Sequence, residues 1–379
     1  MNVLVVANFP SNTGYAWKTI EEVFRGLADR WLASGREVLV TYPSLASGAP
    51  EAFSTSAVQL LEFDYERTRG FSGLSEFVRL IRRHKIDLLY LTDQQTWSWR
   101  YLVYRLAGVR TLIVHDRTSG TRTFRRGLLG AFKRLVHRIP GVGATAYIGI
   151  SRFVADRLRG TGTPADRTFV AYNGIPVETF GGPGGDRVAR VLEVPAETPI
   201  VFTASRAQPY KGIATLIEAA ALLIERGDTS THFAYCGDGP GLGDFKALAA
   251  SRGLTGRFHF LGRRDDVATL LGAATVAVVP SEWAEAFGLS VVEAMAAGVA
   301  VVATAVGGIP ELIEPGVTGV LVPPGAPNEL ASALRALLDD PAARARMASA
   351  ARRVACERFT IARVVADLGG IIEQVEPRA

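Results

Sequence analysis

Short apolar runs alternate with longer amphipathic stretches along most of the chain, and this alternation is the feature that most limits the fold. Runs such as Val3–Ala7, Thr111–His115 and Val299–Val302 are short and almost continuously apolar. Strands that are buried on both faces have this pattern, and the helical stretches between them provide the crossovers that parallel strands need. The sequence therefore predicts an α/β fold built from doubly wound parallel sheets.

A glycine-rich segment near the middle of the chain interrupts this alternation. Residues 180–185 read Phe-Gly-Gly-Pro-Gly-Gly, and the strand and helix patterns resume beyond them. The chain has 379 residues, which is more than one ordinary core holds. We therefore expect two Rossmann-like domains that face each other across a cleft, over residues 1–180 and 181–358. Residues 359–379 are expected to form a helix that packs back on the first domain.

Charge is divided unevenly between the two halves of the chain. Residues 1–180 hold 24 basic and 15 acidic residues, whereas the remainder holds 18 basic and 22 acidic residues. The basic first half predicts an anionic partner, such as a charged acceptor. Nucleic acid is not favoured as that partner, because no aromatic platform lies among the basic residues.

The N-terminus and the cysteines predict a cytoplasmic protein. Met1 leads almost directly into Val3–Val6, without the basic stretch or cleavage site of a secretion signal. No apolar run reaches the ~18 residues that a membrane span needs. Cys236 and Cys356 suit a reducing compartment, and neither has a histidine or second cysteine at the spacing of a metal site.

Two cations follow a strand near residue 203 and lie on one loop that leads into a helix. Arg206 and Lys211 are five positions apart in this loop. Arginine can bind two phosphate oxygens at once, lysine provides a point charge, and a helix N-terminus adds free N–H groups. The loop is therefore a candidate diphosphate site. Taken alone, the same residues are equally consistent with two solvated surface charges.

A second loop, which begins at Gly237, is rich in glycine. It resembles a dinucleotide-binding loop, but Pro240 interrupts the spacing. The following strand ends in Gly262-Arg263, where a dinucleotide site would have an acidic residue. A tight loop that lines a nucleotide pocket explains the pattern as well as an NAD site does.

Two glutamates are the most distinctive pair in the sequence. Glu285 lies in a predicted loop, and Glu293 lies in the helix expected from about Gly288 to Ala297. Eight steps of ~100° would bring the two carboxylates near one face, about two turns apart. One carboxylate could then bind a sugar and the other a ribose. Glu293 stands among apolar residues, where a carboxylate is costly unless it has a partner.

Three other positions have a functional and a structural interpretation. His115 ends a strand and is placed to contact a sugar hydroxyl, although single histidines are usually structural. Gly14, in the first strand–helix loop, permits close approach of a ligand or forms a simple turn. Glu311 follows Gly307-Gly308 and is best explained as a charge at a helix start.

The segment 122–139 combines basic and apolar residues at helical spacing. Phe124, Leu128, Phe132, Leu135 and Ile139 recur along it among six arginines and lysines. Such a segment can lie on an anionic membrane, which would place the protein at the inner membrane face and in reach of a lipid-linked acceptor. Packing of the apolar face on the sheet explains the spacing at least as well.

Taken together, these residues resemble family 4 of the retaining glycosyltransferases, which have the GT-B fold. The central match is the Glu-x7-Glu motif from Glu285 to Glu293. The surrounding matches follow in family order: Val114-His115-Asp116, Gly149-Ile150-Ser151, Asn173-Gly174-Ile175-Pro176, Ser205-Arg206 to Lys211-Gly212, Gly237-Asp238-Gly239-Pro240, Pro280-Ser281 and Gly307-Gly308-Ile309-Pro310-Glu311. Each is weak alone, but together they span nearly the whole chain. One departure is Asn12-Thr13-Gly14, where the family usually has two adjacent glycines.

The resemblance implies a role for each matched residue. Arg206 and Lys211 would hold the donor diphosphate and stabilise the leaving group in place of a metal. Glu293 would bind the ribose, and Glu285 and His115 would contact the donor sugar. The remaining donor-binding residues would be Gly14, Gly237, Arg263 and the backbone amides of Phe287, Gly288 and Leu289.

The resemblance implies a metal-independent transfer of a sugar from a nucleotide-diphosphate donor, UDP or GDP, with retention of configuration and without a bound cofactor. Asp265-Asp266 lacks the spacing of a metal-binding Asp-x-Asp motif. The acceptor is open between a lipid-linked saccharide, a polysaccharide and a small-molecule glycoside. A sugar-nucleotide epimerase on the same fold and an NAD(P)-dependent oxidoreductase are the alternative functions.

Overall fold

The computed structural model describes residues 2–12, 15–121, 135–137, 139–181 and 185–377. The chain divides into two compact units: Met1–Gly174 with Ile361–Ala379, and Ile175–Thr360. The division lies six residues before the boundary that the glycine-rich segment predicts. It lies there because the residues after Gly174 are held by the second unit: the amide of Ile175 donates to the carbonyl of Phe359, and Phe180 is buried.

The first unit is built on a seven-stranded parallel sheet with the order β3-β2-β1-β4-β5-β6-β7. Its strands are β1 (Asn2–Val6), β2 (Val38–Tyr42), β3 (Gln59–Glu62), β4 (Ile86–Thr92), β5 (Thr111–Asp116), β6 (Ala146–Gly149) and β7 (Thr168–Val170). The inner strands are buried along almost their whole length, as continuously apolar runs predict.

Helices accompany this sheet. They are α1 (Tyr15–Ala33), α2 (Phe71–Arg83), α3 (Trp99–Ala107) and α4 (Arg152–Gly160), with short 3-10 turns at Glu51–Phe53, Tyr65–Arg69 and Ala165–Arg167. The C-terminal helix α12 (Ile361–Val375) belongs to the same unit and packs against α1. Val364, Val365 and Leu368 are buried there, and Arg30 pairs with Glu373 at 2.7 Å.

The second unit is built on a six-stranded parallel sheet with the order β10-β9-β8-β11-β12-β13. Its strands are β8 (Ile200–Ala204), β9 (His232–Cys236), β10 (Phe258–Gly262), β11 (Val276–Val279), β12 (Ala300–Thr304) and β13 (Val320–Val322). Its helices are α5 (Arg187–Leu192), α6 (Ile213–Glu225), α7 (Leu242–Ser251), α8 (Val267–Gly272), α9 (Leu289–Ala297), α10 (Pro327–Asp339) and α11 (Pro341–Arg358), with 3-10 turns at Val177–Phe180, Pro209–Lys211 and Ile309–Glu311.

Both sheets are doubly wound, which confirms the predicted two-domain Rossmann-like fold. The strand order reverses between β1 and β4 in the first sheet and between β8 and β11 in the second. Ligands of such sheets bind beyond the carboxyl ends of the strands, next to this reversal. Among the described residues, no helix has both the length and the apolar character needed to cross a bilayer.

Candidate active site

The loops at the carboxyl edge of the second sheet are joined by backbone hydrogen bonds. The amide of Ala207 donates to the carbonyl of Asp238 at 2.8 Å, and the amide of Gly241 donates back to the carbonyl of Ala207 at 3.0 Å. A Cβ on Gly237 would stand 1.9 Å from the carbonyl oxygen of Ser205. The close contact between the two loops therefore requires glycine at position 237. This contact explains the glycine without a bound dinucleotide.

Lys211 and Glu285 form an ion pair at this edge. Nζ of Lys211 lies 2.5 Å from Oε1 of Glu285, and the hydroxyl of Ser281 donates to the same oxygen at 2.8 Å. Both side chains are mostly shielded, with exposed fractions of 20% and 16%. The structure thus brings together two residues that the sequence analysis assigned to different parts of a donor. It also adds Ser281 as a direct contact of the carboxylate.

Arg206 lies on the same loop as Lys211 and is exposed. Its Nη2 donates to the hydroxyl of Tyr210 at 3.2 Å, and Nζ of Lys211 lies 5.9 Å from the centre of the Tyr210 ring. Tyr210 therefore links the two cations. This tyrosine is not among the site residues predicted from the sequence, although its position between the two cations was a usable signal.

The loop that carries Glu285 is anchored on both sides. The amide of Glu282 donates to the carbonyl of Tyr210 at 2.9 Å, and its carboxylate accepts from Thr215 at 2.5 Å. On the other side, the amide of Gly308 donates to the carbonyl of Glu285 at 2.9 Å. Gly307 has φ of +57°, and a Cβ there would stand 2.0 Å from that carbonyl oxygen. The Gly-Gly pair thus supports the backbone of Glu285.

Glu285 and Glu293 do not lie on one continuous helix. This corrects the sequence prediction that helical periodicity brings their carboxylates near one face. Helix α9 begins at Leu289, and Gly288 before it has φ of +108°. A left-handed residue breaks the helical repeat, so the eight steps from Glu285 to Glu293 do not follow 100° per residue. The buried Phe287 ring stacks edge-on against Phe359 at 5.7 Å, so this part of the motif also has a packing role.

Glu293 lies in a narrow groove at the strand reversal of the second sheet. The lining residues come from the carboxyl ends of β8 and β11 and from α8 and α9: Phe202, Thr203, Val279, Leu271, Ser290 and Glu293 are among them. Burial raises the pKa of Glu293 to about 7. No hydrogen bond or ion pair joins its carboxylate to another residue of the described chain. A carboxylate in this setting is suited to accept hydrogen bonds from a ligand.

Arg263 is exposed, and within the described chain no hydrogen bond or ion pair joins its side chain to the other predicted site residues. Its neighbour Arg264 instead binds Asp266 through two nitrogens, at 2.7 and 2.9 Å. Both oxygens of Asp266 are engaged by this arginine. Asp266 is therefore paired with a cation from the chain itself.

His115 lies at the carboxyl end of β5, as predicted, but its ring is buried. Nδ1 lies against the hydroxyl of Tyr90 and 3.3 Å from Nη2 of Arg117. Burial, followed by the charge of Arg117, lowers the pKa of His115 well below its usual value. Nε2 of His115 has no hydrogen-bond partner in the described structure.

Arg117 lies next to His115 at the carboxyl end of β5 and was not predicted from the sequence as a site residue. Its guanidinium lies over the ring of Phe24 at 5.2 Å, and burial lowers its pKa. Nε and Nη1 are buried without a hydrogen-bond partner in the described part of the chain. Gly14, the other predicted residue of the first unit, lies outside the described residues.

Comparisons with known proteins agree with this architecture. Residues 20–179 match the model of Glycosyltransferase Family 4, and residues 186–354 match that of Glycosyl transferases group 1. A glycosyltransferase from Rickettsia africae has a TM-score of 0.82 at 18% identity and covers 100% of this chain and 99% of its own. Anabaena HepE, crystallised with UDP, has a TM-score of 0.78 at 24% identity, over 99% and 100% of the two chains.

Curated relatives align over part of their length. D-inositol 3-phosphate glycosyltransferase of Corynebacterium glutamicum is 37% identical over 193 residues, which cover 48% of this chain and 46% of that protein. Alpha-D-kanosaminyltransferase of Streptomyces kanamyceticus is 34% identical over 181 residues, covering 47% and 46%. The chain thus spans about half the length of the relatives it matches. The two doubly wound sheets therefore form a GT-B fold, and each half of the chain is similar to a glycosyltransferase family, Glycosyltransferase Family 4 in the first half and Glycosyl transferases group 1 in the second.

Proposed function

We propose that the chain transfers a sugar from a nucleoside-diphosphate donor to an acceptor hydroxyl, with retention of configuration and without a metal ion. The observation that carries this proposal is the Lys211–Glu285 pair, with Arg206 beside it, at the carboxyl edge of a doubly wound sheet. Two cations on one loop, next to a carboxylate, provide complementary partners for a diphosphate and for sugar hydroxyls.

The pair suggests how the site responds to the donor. In the ligand-free protein the charge of Lys211 is balanced by Glu285. A diphosphate carries more negative charge than one carboxylate, so it would draw Lys211 and Arg206 towards itself. Glu285 would then accept a hydrogen bond from a hydroxyl of the donor sugar, while the hydroxyl of Ser281 keeps its hydrogen bond to the Glu285 carboxylate. The same two cations would stabilise the charge that develops on the leaving diphosphate.

Glu293 is proposed to bind the ribose hydroxyls. Its carboxylate lies at the strand reversal, has no partner in the described structure and has a raised pKa. Hydroxyl donors favour the ionised form, so ligand binding would lower this pKa. Gly237, Arg263 and the amides of Phe287, Gly288 and Leu289 are proposed to complete the donor site. The helix start after Gly288 leaves first-turn amides without helical acceptors.

His115 is proposed to donate a hydrogen bond to a substrate hydroxyl through Nε2. The contacts at Nδ1 leave Nε2 as the ring position that can serve a ligand. The low pKa keeps the ring neutral at physiological pH, so it would act as a hydrogen-bond donor and not as a charge.

The relatives suggest the first ligands to test. HepE was crystallised with UDP and with UDP-glucose, so UDP is the first base to examine, with GDP next. One relative is named for D-inositol 3-phosphate, whose phosphate would suit the basic first half of this chain. A phosphorylated polyol is therefore the first acceptor class to test.

The binding test is calorimetry with UDP, GDP and NAD in the presence of EDTA, on the wild type and on Arg206→Ala. Arg346→Ala is the matched control, since Arg346 is an exposed arginine on α11 of the same unit. We expect one nucleoside diphosphate to bind, with loss of about tenfold or more in Arg206→Ala and no change in the control. Binding of NAD alone would support the oxidoreductase alternative instead.

The reaction itself is tested by incubating UDP-sugars with inositol 3-phosphate and recording the NMR spectrum of the product. The coupling constant of the anomeric proton reports configuration directly. An α-linked product from an α-linked donor would support retention. A β-linked product would contradict it, and conversion of the donor to its epimer without an acceptor would favour the epimerase.

A further inference from the structure

An exposed tryptophan of the second unit lies beside a candidate ligand-binding residue. Trp283 lies two positions before Glu285, in the segment that follows β11, and its exposed fraction is 49%. In the first unit, the membrane contact predicted for residues 122–139 stays a prediction, because residues 122–134 and 138 lie outside the described structure. A single exposed apolar residue is ordinary, so it is the neighbourhood of Trp283 that calls for an explanation.

Trp283 lies at the middle of a short loop that is closed by a side-chain hydrogen bond. The hydroxyl of Ser281 donates to Oε1 of Glu285 at 2.8 Å, and these two residues lie two positions before and two positions after Trp283. The backbone bends at Trp283 itself. Trp283 is therefore the tip residue of the loop 281–285, which we call the tip loop.

The tip loop is held in place by the elements around it. The amide of Glu282 donates to the carbonyl of Tyr210 at 2.9 Å, and the Glu282 carboxylate accepts from Thr215 in the first turn of α6. The carbonyl of Ser281 accepts from the hydroxyl of Thr304, the last residue of β12. A side chain carried on a fixed loop loses little conformational freedom when a ligand binds to it.

The indole of Trp283 has no polar or aromatic partner within the protein. No hydrogen bond, aromatic contact or cation–π contact joins it to another residue of the part of the chain that the structure describes. An indole has a flat apolar face and one N–H donor at its edge. A sugar ring is complementary to both features, because its C–H groups form an apolar face and its hydroxyls surround that face.

Trp283 and Glu285 are close enough to contact one ligand together. Two residue steps span at most ~7 Å between Cα atoms. The hydrogen bond from Ser281 keeps the Glu285 carboxylate within the tip loop, next to the ammonium group of Lys211. One sugar ring can bridge two side chains that are carried at this separation, with its hydroxyls towards the carboxylate.

We propose that Trp283 packs on the C–H face of the donor sugar and is a specificity-determining residue of the reaction. This inference rests on the function proposed above, in which Glu285 binds hydroxyls of that sugar. A carboxylate recognises hydroxyls but removes little apolar surface from water, whereas an indole buries the apolar face of the ring. A sugar with an axial hydroxyl on the packed face would be held away from the indole, so Trp283 would discriminate between epimers.

A nucleobase is the other flat group of the donor that could stack on a tryptophan. The proposed ribose ligand, Glu293, follows Glu285 by eight positions and lies within α9, whereas Trp283 precedes Glu285 in the tip loop. The diphosphate and the ribose separate the base from the sugar. A base bound beyond the ribose would therefore lie far from the residue that contacts the sugar, which favours the sugar as the partner of Trp283.

The test is calorimetry on the wild type, Trp283→Ala and Trp283→Phe, with UDP compared with UDP-glucose and UDP-galactose, and GDP compared with GDP-mannose. We expect Trp283→Ala to bind the sugar nucleotide about three- to tenfold more weakly, with unchanged affinity for the free diphosphate. Trp283→Phe should lose less, because it keeps an aromatic face. Trp99→Ala is the matched control, since Trp99 is 54% exposed and lies in the first unit, and it should change neither affinity.

The outcomes separate this inference from the proposed function. If the wild type binds no nucleoside diphosphate, the proposed function itself fails. If the diphosphate binds but Trp283→Ala weakens it as much as the sugar nucleotide, the indole meets the base, and the inference is overturned. Unchanged affinity for both ligands overturns it as well, and a change confined to the KM for inositol 3-phosphate would place the acceptor against the indole instead.

Tryptophan fluorescence provides a second measurement that needs only the conservative variants. The chain has five tryptophans, so the contribution of one is read as a difference between variants. The sugar nucleotide should change the emission of the wild type more than the free diphosphate does. This extra change should disappear in Trp283→Phe and remain in Trp99→Phe. An extra change that persists in Trp283→Phe would show that the sugar lies away from this ring.

Discussion

The guanidinium of Arg117 donates a hydrogen bond from Nη2 to Nδ1 of His115, and the two nitrogens are 3.3 Å apart. A guanidinium has no acceptor, so this contact assigns the acceptor role to Nδ1 and places the proton of the neutral ring on Nε2. The hydroxyl of Tyr90 lies against the same nitrogen and is compatible with this tautomer, because a hydroxyl can donate to an acceptor nitrogen. Arg117 therefore acts as a positioning residue for the hydrogen-bond donor that we propose at Nε2.

Replacing Arg117 with methionine should raise the pKa of His115. The substitution removes a nearby positive charge and a donor to Nδ1, both of which disfavour the protonated ring. NMR titration of the ring nitrogens would measure the pKa and the tautomer together. Arg110→Met is the control, because Arg110 is an exposed arginine immediately before β5. An unchanged titration in Arg117→Met would contradict the assigned role.

Removing the carboxylate at Glu285 should tighten the binding of a nucleoside diphosphate while lowering turnover. In Glu285→Gln, Lys211 no longer has to leave an ion pair before it meets the ligand. A partly buried pair of this kind is worth about 1 kcal/mol, which corresponds to roughly fivefold in affinity. Lys211→Met should weaken the same binding. Calorimetry on both variants decides the matter, and weaker binding in Glu285→Gln would show that Glu285 helps to hold the diphosphate.

Glu293 should make the free energy of unfolding of the ligand-free protein fall as pH rises. Its pKa is about 7 in the folded protein, against 4.5 for an ordinary glutamate. A raised pKa favours folding below pH ~4.5, and this contribution is lost as pH rises through ~7. The loss has an upper limit of about 3 kcal/mol, and the partial exposure of the side chain makes it smaller. Glu293→Gln should therefore gain stability over the wild type between pH ~5 and ~8.

Denaturant unfolding at several pH values measures this difference, with the exposed Glu329→Gln as the control for loss of one charge. Equal pH profiles for the wild type and Glu293→Gln would show that the carboxylate is not desolvated. Calorimetry adds a second observable. Nucleotide binding to the wild type should release a proton near pH ~7 and weaken below it, and the variant should show neither effect.

Adding one methyl group at Gly307 should disturb the loop of Glu285. The new Cβ would stand 2.0 Å from the carbonyl oxygen of Glu285, and φ is +57°. Gly325 has a similar φ of +64° but nothing within 4 Å of its Cβ position, so Gly325→Ala isolates the cost of backbone conformation. That cost is about 1 to 2 kcal/mol. Thermal unfolding should show a larger loss in Gly307→Ala, and turnover should fall only there. Equal effects of the two variants would mean that the contact with Glu285 is easily relieved.

The sequence predicted the elements of the second unit more fully than it predicted their contacts. The helix before Ala297, the strands and the glycine loops lie close to where periodicity placed them. The prediction that Glu285 and Glu293 lie near one helix face was wrong. It assumed a continuous helical repeat, which the left-handed Gly288 interrupts. The domain division also differed, because Ile175 bonds to Phe359, far along the chain.

The sequence by itself determined that this chain forms two doubly wound sheets, because the alternation of buried strands and amphipathic helices is a local property of the residues. It also showed which loops carry cations, carboxylates and glycines. Only the tertiary structure decided that Lys211 pairs with Glu285, which are 74 positions apart, and that Arg117 sets the acceptor at His115. Those contacts depend on which loops the parallel strands bring to one edge, and on the burial that removes water from each side chain.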